Sequence, residues 1–127
     1  MSESMGKVKI SNDVVATIAG LAALEIDGIA AMSGGISEGF AKKLSGKQIQ
    51  RGVTVEVGEL EAAIDLRVLV KYGSTIHEVC HNLQMHVKEA VQSMTGLNVV
   101  EVNVQVDGVV FEQDRTEEST ELQERVK

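Results

Sequence analysis

Cysteine occurs once in this chain of 127 residues, at Cys80, so no internal disulfide can form. A lone thiol fits a reducing cytoplasm, where cross-links are rare. Aromatic side chains are nearly as scarce: Phe40, Tyr72 and Phe111 are the whole set, and tryptophan is absent. The chain therefore lacks a platform for stacking nucleobases. Its core must be filled by valine, isoleucine, leucine, alanine and methionine. Positive charge is in the minority, with 12 lysines and arginines against 19 aspartates and glutamates and a formal net charge of −7. That balance opposes nonspecific binding to nucleic acid or to bare anionic lipid and favours a basic partner. Long hydrophobic runs are missing too. The longest, Val14 to Leu24, is interrupted by Thr17 and closed by Glu25 and Asp27, too short to span a bilayer. Residues 1–6 carry no basic region followed by an apolar segment, so no signal peptide is expected. Any membrane association then goes through a partner or a surface helix.

What is present is patterned. The length suits a single domain. Val8 and Ile10 alternate with Lys7 and Lys9, the mark of a short strand over Gly6–Ile10. Ser11 or Asn12 can cap a following helix, with Asp13 in its first turn. That helix runs to about Ile26 with Val14, Val15, Ile18, Leu21, Ala22 and Ile26 as an apolar stripe. Ala16, Ala19, Gly20 and Ala23 flatten another face enough for close backbone approach. Asp27-Gly28 stops it, and Ile29 to Gly35 reads as irregular. Ser37 to Leu44 reads as a short amphipathic helix with Ile36, Phe40 and Leu44 on one side; Gly46 to Gly52 reads as a polar, basic loop.

Val53, Val55 and Val57, then Ile64, Leu66, Val68 and Val70, form the two arms of a β-hairpin turning at Gly58-Glu59. A long helix capped by Ser74 carries Ile76, Val79, Cys80, Leu83, Val87, Ala90, Val91 and Met94 at steps of three and four, and Gly96 ends it. Val100, Val102, Val104 and Val106 then alternate with Glu101, Asn103, Gln105 and Asp107, and Gly108 marks a bulge. From Glu112 the chain is polar and charged and reads as a disordered tail or frayed helix. The expected fold is α+β: one two-layer domain in the order β-α-(short α)-β-β-α-β, a mostly antiparallel four-stranded sheet with the helices packed on one face. The expected organisation is a flexible N-terminus over 1–5, the domain over 6–111 and an acidic tail over 112–127. The strands' second face is polar and can meet water or a second subunit.

No complete catalytic constellation emerges. His77 and His81, four residues apart on one helix, can both face one metal ion, but two ligands do not make a site and Glu78 points elsewhere. Cys80 lies within the apolar stripe, where cysteine behaves as a small hydrophobe. Gly34-Gly35-Ile36-Ser37-Glu38-Gly39 follows no strand, and Gly46-Lys47 lacks the glycine and hydroxyl of a phosphate loop, so neither is a nucleotide fingerprint. Lys42, Lys43, Lys47 and Arg51 form the one dense basic patch and are the candidate partner-binding residues. Asp65, Arg67 and Lys71 share a strand face with Glu101 and Asn103; cross-strand ion pairing explains them without acid–base chemistry.

Several of these stretches, in this order, carry a resemblance. Gly6-Lys7-Val8-Lys9-Ile10-Ser11, Lys71-Tyr72-Gly73, Ile76-His77-Glu78-Val79, Thr95-Gly96-Leu97 and Val102 to Val109 together resemble the alkaline-shock envelope stress response family over about Gly6 to Phe111. The resemblance implies a cytoplasmic, non-enzymatic protein of Gram-positive-type bacteria, without catalytic residues or a cofactor. Members of that family are tied to cell-envelope stress, some held at the membrane by a separate anchor protein and some linked to fatty-acid synthesis through acetyl-CoA carboxylase. The expected function is thus a scaffold or regulator of envelope homeostasis. It would act by homo-oligomerisation and by binding an anchor protein or a metabolic enzyme, near the membrane only through that partner. The alternative is a small-ligand or metal-binding regulator using His77 and His81.

Overall fold

The computed structural model describes residues 5–34 and 50–111. Helix α1 spans Asn12–Leu24, strand β1 Ile29–Met32, β2 Val53–Val57, β3 Glu61–Lys71, helix α2 Ile76–Thr95 and β4 Asn98–Val110. The expected short helix over 37–44, the tail over 112–127 and the lysines Lys42, Lys43 and Lys47 lie outside the described residues.

The α+β, two-layer, four-stranded fold is as expected, but one strand has changed identity. Gly6–Ile10 takes no place in the sheet. Alternation makes a strand only where an edge is free to receive it, and this segment leads into α1 where Asn12 Nδ2 already donates to the Val55 carbonyl of β2 at 3.1 Å. The fourth strand is instead β1, from the stretch read as irregular. Its residues Ile29 and Met32 are buried, and it pairs antiparallel with β3 through Ile29–Val70 and Met32–Val68.

β3 is the spine of the sheet. Its first half pairs antiparallel with β2 (Val53–Leu66 to Val57–Ala62), its second half with β1, so these two short strands lie end to end along one edge. β4 runs the whole length of the other edge, parallel to β3. The parallel pairing follows from α2, whose 20 residues carry the chain back about 30 Å, close to the roughly 36 Å of the 11-residue β3. A helical return of that length delivers the next strand in the same direction.

The core lies between the sheet and both helices. Ala62, Ile64, Leu66, Val68 and Val70 of β3 point into it, with Val99 and Val102 of β4 and Val79, Leu83, Val87 and Val91 of α2. The four α2 residues are spaced four apart, one continuous ridge. In α1 the face that turns inward is the small one. Val15, Ala16, Ala19, Gly20, Ala22 and Ala23 are buried, while Val14 and Leu21 of the expected stripe stay exposed. Small side chains let this helix sit close to the sheet and to α2. Ser11 caps α1, accepting from the Val14 amide at 3.4 Å, and Gly96, at φ +79°, ends α2.

β4 departs from strict alternation at two bulges, one near Ala62/Ala63 and one near Val68/Leu69 of its partner. The first places Val99 against Ala62 and leaves Val100 51% exposed, correcting the expectation that Val100 faces the core. The second inserts Asp107 ahead of Gly108.

Candidate functional site

Both helices cover one face of the sheet, and the opposite face presents ordered polar side chains. Its centre is Arg67, where β1 ends and β2 begins. The Ser33 amide donates to the Arg67 carbonyl at 2.8 Å, and the Arg67 amide donates to the Gly52 carbonyl at 2.8 Å. Gly52, at φ +83°, fits there because a Cβ would lie 3.0 Å from both the Arg67 and Ser33 carbonyl oxygens. The Arg67 side chain crosses to β4, Nε and Nη2 each 3.0 Å from Asp107 Oδ2. Ser33 Oγ donates to the same oxygen at 2.6 Å, and Gln105 Nε2 donates to Oδ1 at 2.7 Å. One register step away, Asn103 Nδ2 donates to Asp65 Oδ1 at 2.8 Å. The β4 bulge aims Asp107 at this junction, and sequence reading missed the cluster because Ser33 lies 74 positions away from Asp107.

The cluster is built for order rather than proton transfer. Hydrogen bonds from Ser33 and then Gln105 outweigh desolvation and, with lesser help from the charge and hydrogen bond of Arg67, hold the Asp107 carboxyl below its ordinary range. A carboxyl lowered in this way favours the charged, hydrogen-bonded form of Asp107 over proton transfer with Ser33. Because the folded-state value lies below the unfolded value of about 3.9, the contribution to stability is complete above that pH and is lost as pH falls through the folded value. Asp107→Asn is therefore expected to melt below the native protein at neutral pH. The difference should shrink as the pH drops under about 4, measured by circular dichroism. A constant difference down to that limb would remove the charge from the explanation.

The other residues singled out in the sequence are placed as follows. Arg51 donates from Nη1 to the Gly34 carbonyl at 3.2 Å, joining the two ends of the 35–49 segment. His77 and His81 are both exposed on α2, and among the described residues no three His, Cys, Asp or Glu side chains gather as a metal cluster. Cys80 is half-buried, and desolvation pushes its thiol up, away from the thiolate form a nucleophile needs. The third histidine, His86, went unremarked in the sequence. Its Nε2 lies 2.6 Å from Glu25 Oε1 and ties α2 to the end of α1. At the hairpin end an open depression of about 570 Å³ lies among Asn12, Glu56, Gly58, Glu61 and Val100. At the far end Tyr72 and Phe111 pair with centroids 5.0 Å apart, both exposed. No described helix is long and apolar enough to cross a membrane.

These features define a small α+β domain of two layers, built on an open mixed sheet with one polar face that no described element covers. The chain belongs to the alkaline shock protein 23 family, described as having a cell envelope-related function, whose family model matches residues 1–111. The resemblance seen in the motifs is thereby confirmed. The chain is 40% identical over 106 residues to the uncharacterized protein YloU of Bacillus subtilis, covering 82% of this chain and 88% of that one. It is 32% identical over 108 residues to YqhY of the same organism, also described as uncharacterized (85% and 80% covered). A stress response regulator gls24 homolog of Streptococcus pyogenes is 31% identical over 122 residues, covering 95% and 68%. No solved structure matches the chain significantly.

Proposed function

We propose that this protein is a non-enzymatic regulator or scaffold of the envelope stress response that acts by associating with itself and with other proteins. The polar face of the sheet, which no described element covers, carries this reading. A domain that needed only to be stable could cover or simplify that face, yet here Ser33, Arg67, Gln105 and Asp107 hold one another in a fixed arrangement beside Asp65 and Asn103. Pre-ordered polar groups lose little freedom on binding and select partners by charge and register. The stress-regulator name of the streptococcal relative and the envelope-related description of the family give the process. The partners proposed are a membrane anchor protein or, in a fatty-acid branch of the role, acetyl-CoA carboxylase; the protein itself stays cytoplasmic.

The test is complementation of a deletion strain with Asp65→Lys/Asn103→Lys, which reverses the face without touching the core. The variant is expected to melt within a few degrees of the native protein, to lose the anchor or carboxylase subunit captured by the native one, and to leave an envelope-stress reporter induced. Full complementation with an unchanged set of captured partners would overturn the role of this face.

A further inference from the structure

Two features of the fold are each incomplete within one copy. The first is the segment Lys7–Ile10. It alternates like a strand but has no strand partner among the described residues, and Val8 is 90% exposed. Ile10 packs against the core and anchors the segment where it enters α1. The second is the outer edge of β4, a strand of 13 residues with β3 as its only strand neighbour among the described residues. Side chains of α2 occupy the start of that edge. Gln92 Oε1 accepts from the Val99 amide at 3.0 Å, and Gln84 Nε2 donates to the Val102 carbonyl at 2.9 Å. Backbone groups alternate along a strand, so those of Val104 and Val106 face the same way as the Val102 carbonyl and remain beyond the reach of these two glutamines.

We propose that residues 7–10 of one copy add as a strand to the outer β4 edge of a second copy, next to Val104 and Val106. The inference rests on the self-association in the functional reading above and supplies its contact. Chemistry on both faces favours this occupant. In such a pairing Val8 lies on the helix side against the half-buried Val104 and Val106, whereas Lys7 and Lys9 lie on the polar side. There they meet Glu101, Asp107 and Asp65, three carboxylates against the two cations of that strand face, Arg67 and Lys71. By contrast, β4 pairing antiparallel with the β4 of another copy about Val104 would set Glu101 opposite Asp107, like charge on like.

The segment cannot satisfy the edge of its own copy. Asn12 fixes the entry to α1 beside β2, and a strand outside β4 lies three strand spacings away, about 14 Å. Four residues reach about 14 Å when fully extended, which leaves nothing to run alongside β4. The pairing is therefore between copies and head to tail. Each copy gives a segment at one side and receives one at the other, an arrangement that closes into a ring or extends as a chain.

Sedimentation velocity of the full chain across a concentration series tests this. The native protein is expected to rise in mean mass above the 13.6 kDa subunit as concentration increases. Val8→Pro removes the backbone donor at a site 90% exposed in the single copy, so it should melt as the native protein does and stay at subunit mass. Lys7→Glu/Lys9→Glu and Glu101→Lys are each expected to weaken association about tenfold or more. An equimolar mixture of the two should restore it, because the acidic segment of one then meets the altered edge of the other. If Val8→Pro associates as the native protein does, or if the mixture gains nothing over the separate variants, strand donation is wrong while self-association stands. If the native protein stays at subunit mass throughout, both fail, and only the binding of other proteins survives.

Discussion

Leu83→Ala is expected to cost about 2–5 kcal/mol of folding stability. Leu83 is fully buried at the middle of α2, with Val79 one turn before it and Val87 one turn after. Much of the opposing surface of α1 is alanine, which contributes little apolar area per residue, so the larger α2 side chains fill the space between the layers. Truncation there removes contacts that the alanines of α1 cannot replace by moving inward, because backbone and Cβ atoms already define that surface. A domain of this size holds only about 5–15 kcal/mol in total. The midpoint of thermal unfolding should therefore fall by about 10–30 °C. Met85→Ala, on the same helix but 58% exposed, should change stability by no more than about 0.5 kcal/mol. Urea denaturation of both variants measures the contrast. A Leu83→Ala loss under 1 kcal/mol with an unchanged urea dependence would mean that the two layers close over the gap.

The parts legible in the sequence were those set by local periodicity. The hairpin of β2 and β3, the ridge on α2, and the Gly96 stop need only neighbours within a few positions to be recognised. What escaped depends on distant contacts. β1 was unreadable because Ile29–Met32 is only four residues long, and its strand character comes from β3, about forty positions on. Gly6–Ile10 showed the opposite failure, a good strand pattern that pairs with no described strand. In α1 the flat face of Ala16, Ala19, Gly20 and Ala23 was legible and is buried as expected, whereas Val14 and Leu21 of the expected aliphatic stripe stay exposed. The first β4 bulge, which exposes Val100, leaves no local mark, whereas the second, which inserts Asp107, is signalled by Gly108.

The candidate site was half legible for the same reason. Asp65, Arg67, Glu101 and Asn103 were recognised as sharing a face, because strand alternation places them there. The grouping of Ser33, Arg67 and Asp107 was not, since it needs β1 to end beside the middle of β3 and β4 to bulge opposite. The feature that makes the face more than a scatter of charges is thus a product of topology. A related fold with the same residues but no bulge would leave Asp107 out of reach of Ser33.

Gly28→Ala is the second large effect expected, at about 2–4 kcal/mol, and its two causes can be separated. The sequence suggests that Gly28 simply stops α1, but the helix ends earlier, at Leu24, with Glu25 as its cap. Gly28 instead turns the chain beneath α2 at φ +99°, and its carbonyl accepts from the Lys71 amide at 2.8 Å to start the β1–β3 pairing. A Cβ there would lie 2.6 Å from Val79 Cγ2 and 3.2 Å from Ser74 Oγ. Backbone strain and collision therefore act together. Gly73→Ala supplies the strain alone, since Gly73 has φ +94° but nothing within 4 Å of a Cβ, and should cost about 1–2 kcal/mol. The collision can be relieved from the other side. In a Val79→Ala background the obstructing methyl is absent, so adding Gly28→Ala should cost about 1 kcal/mol less than it does in the native protein. A double-mutant cycle by urea denaturation measures this coupling. Full additivity would show that Val79 moves aside without penalty and that the left-handed backbone alone makes position 28 a glycine.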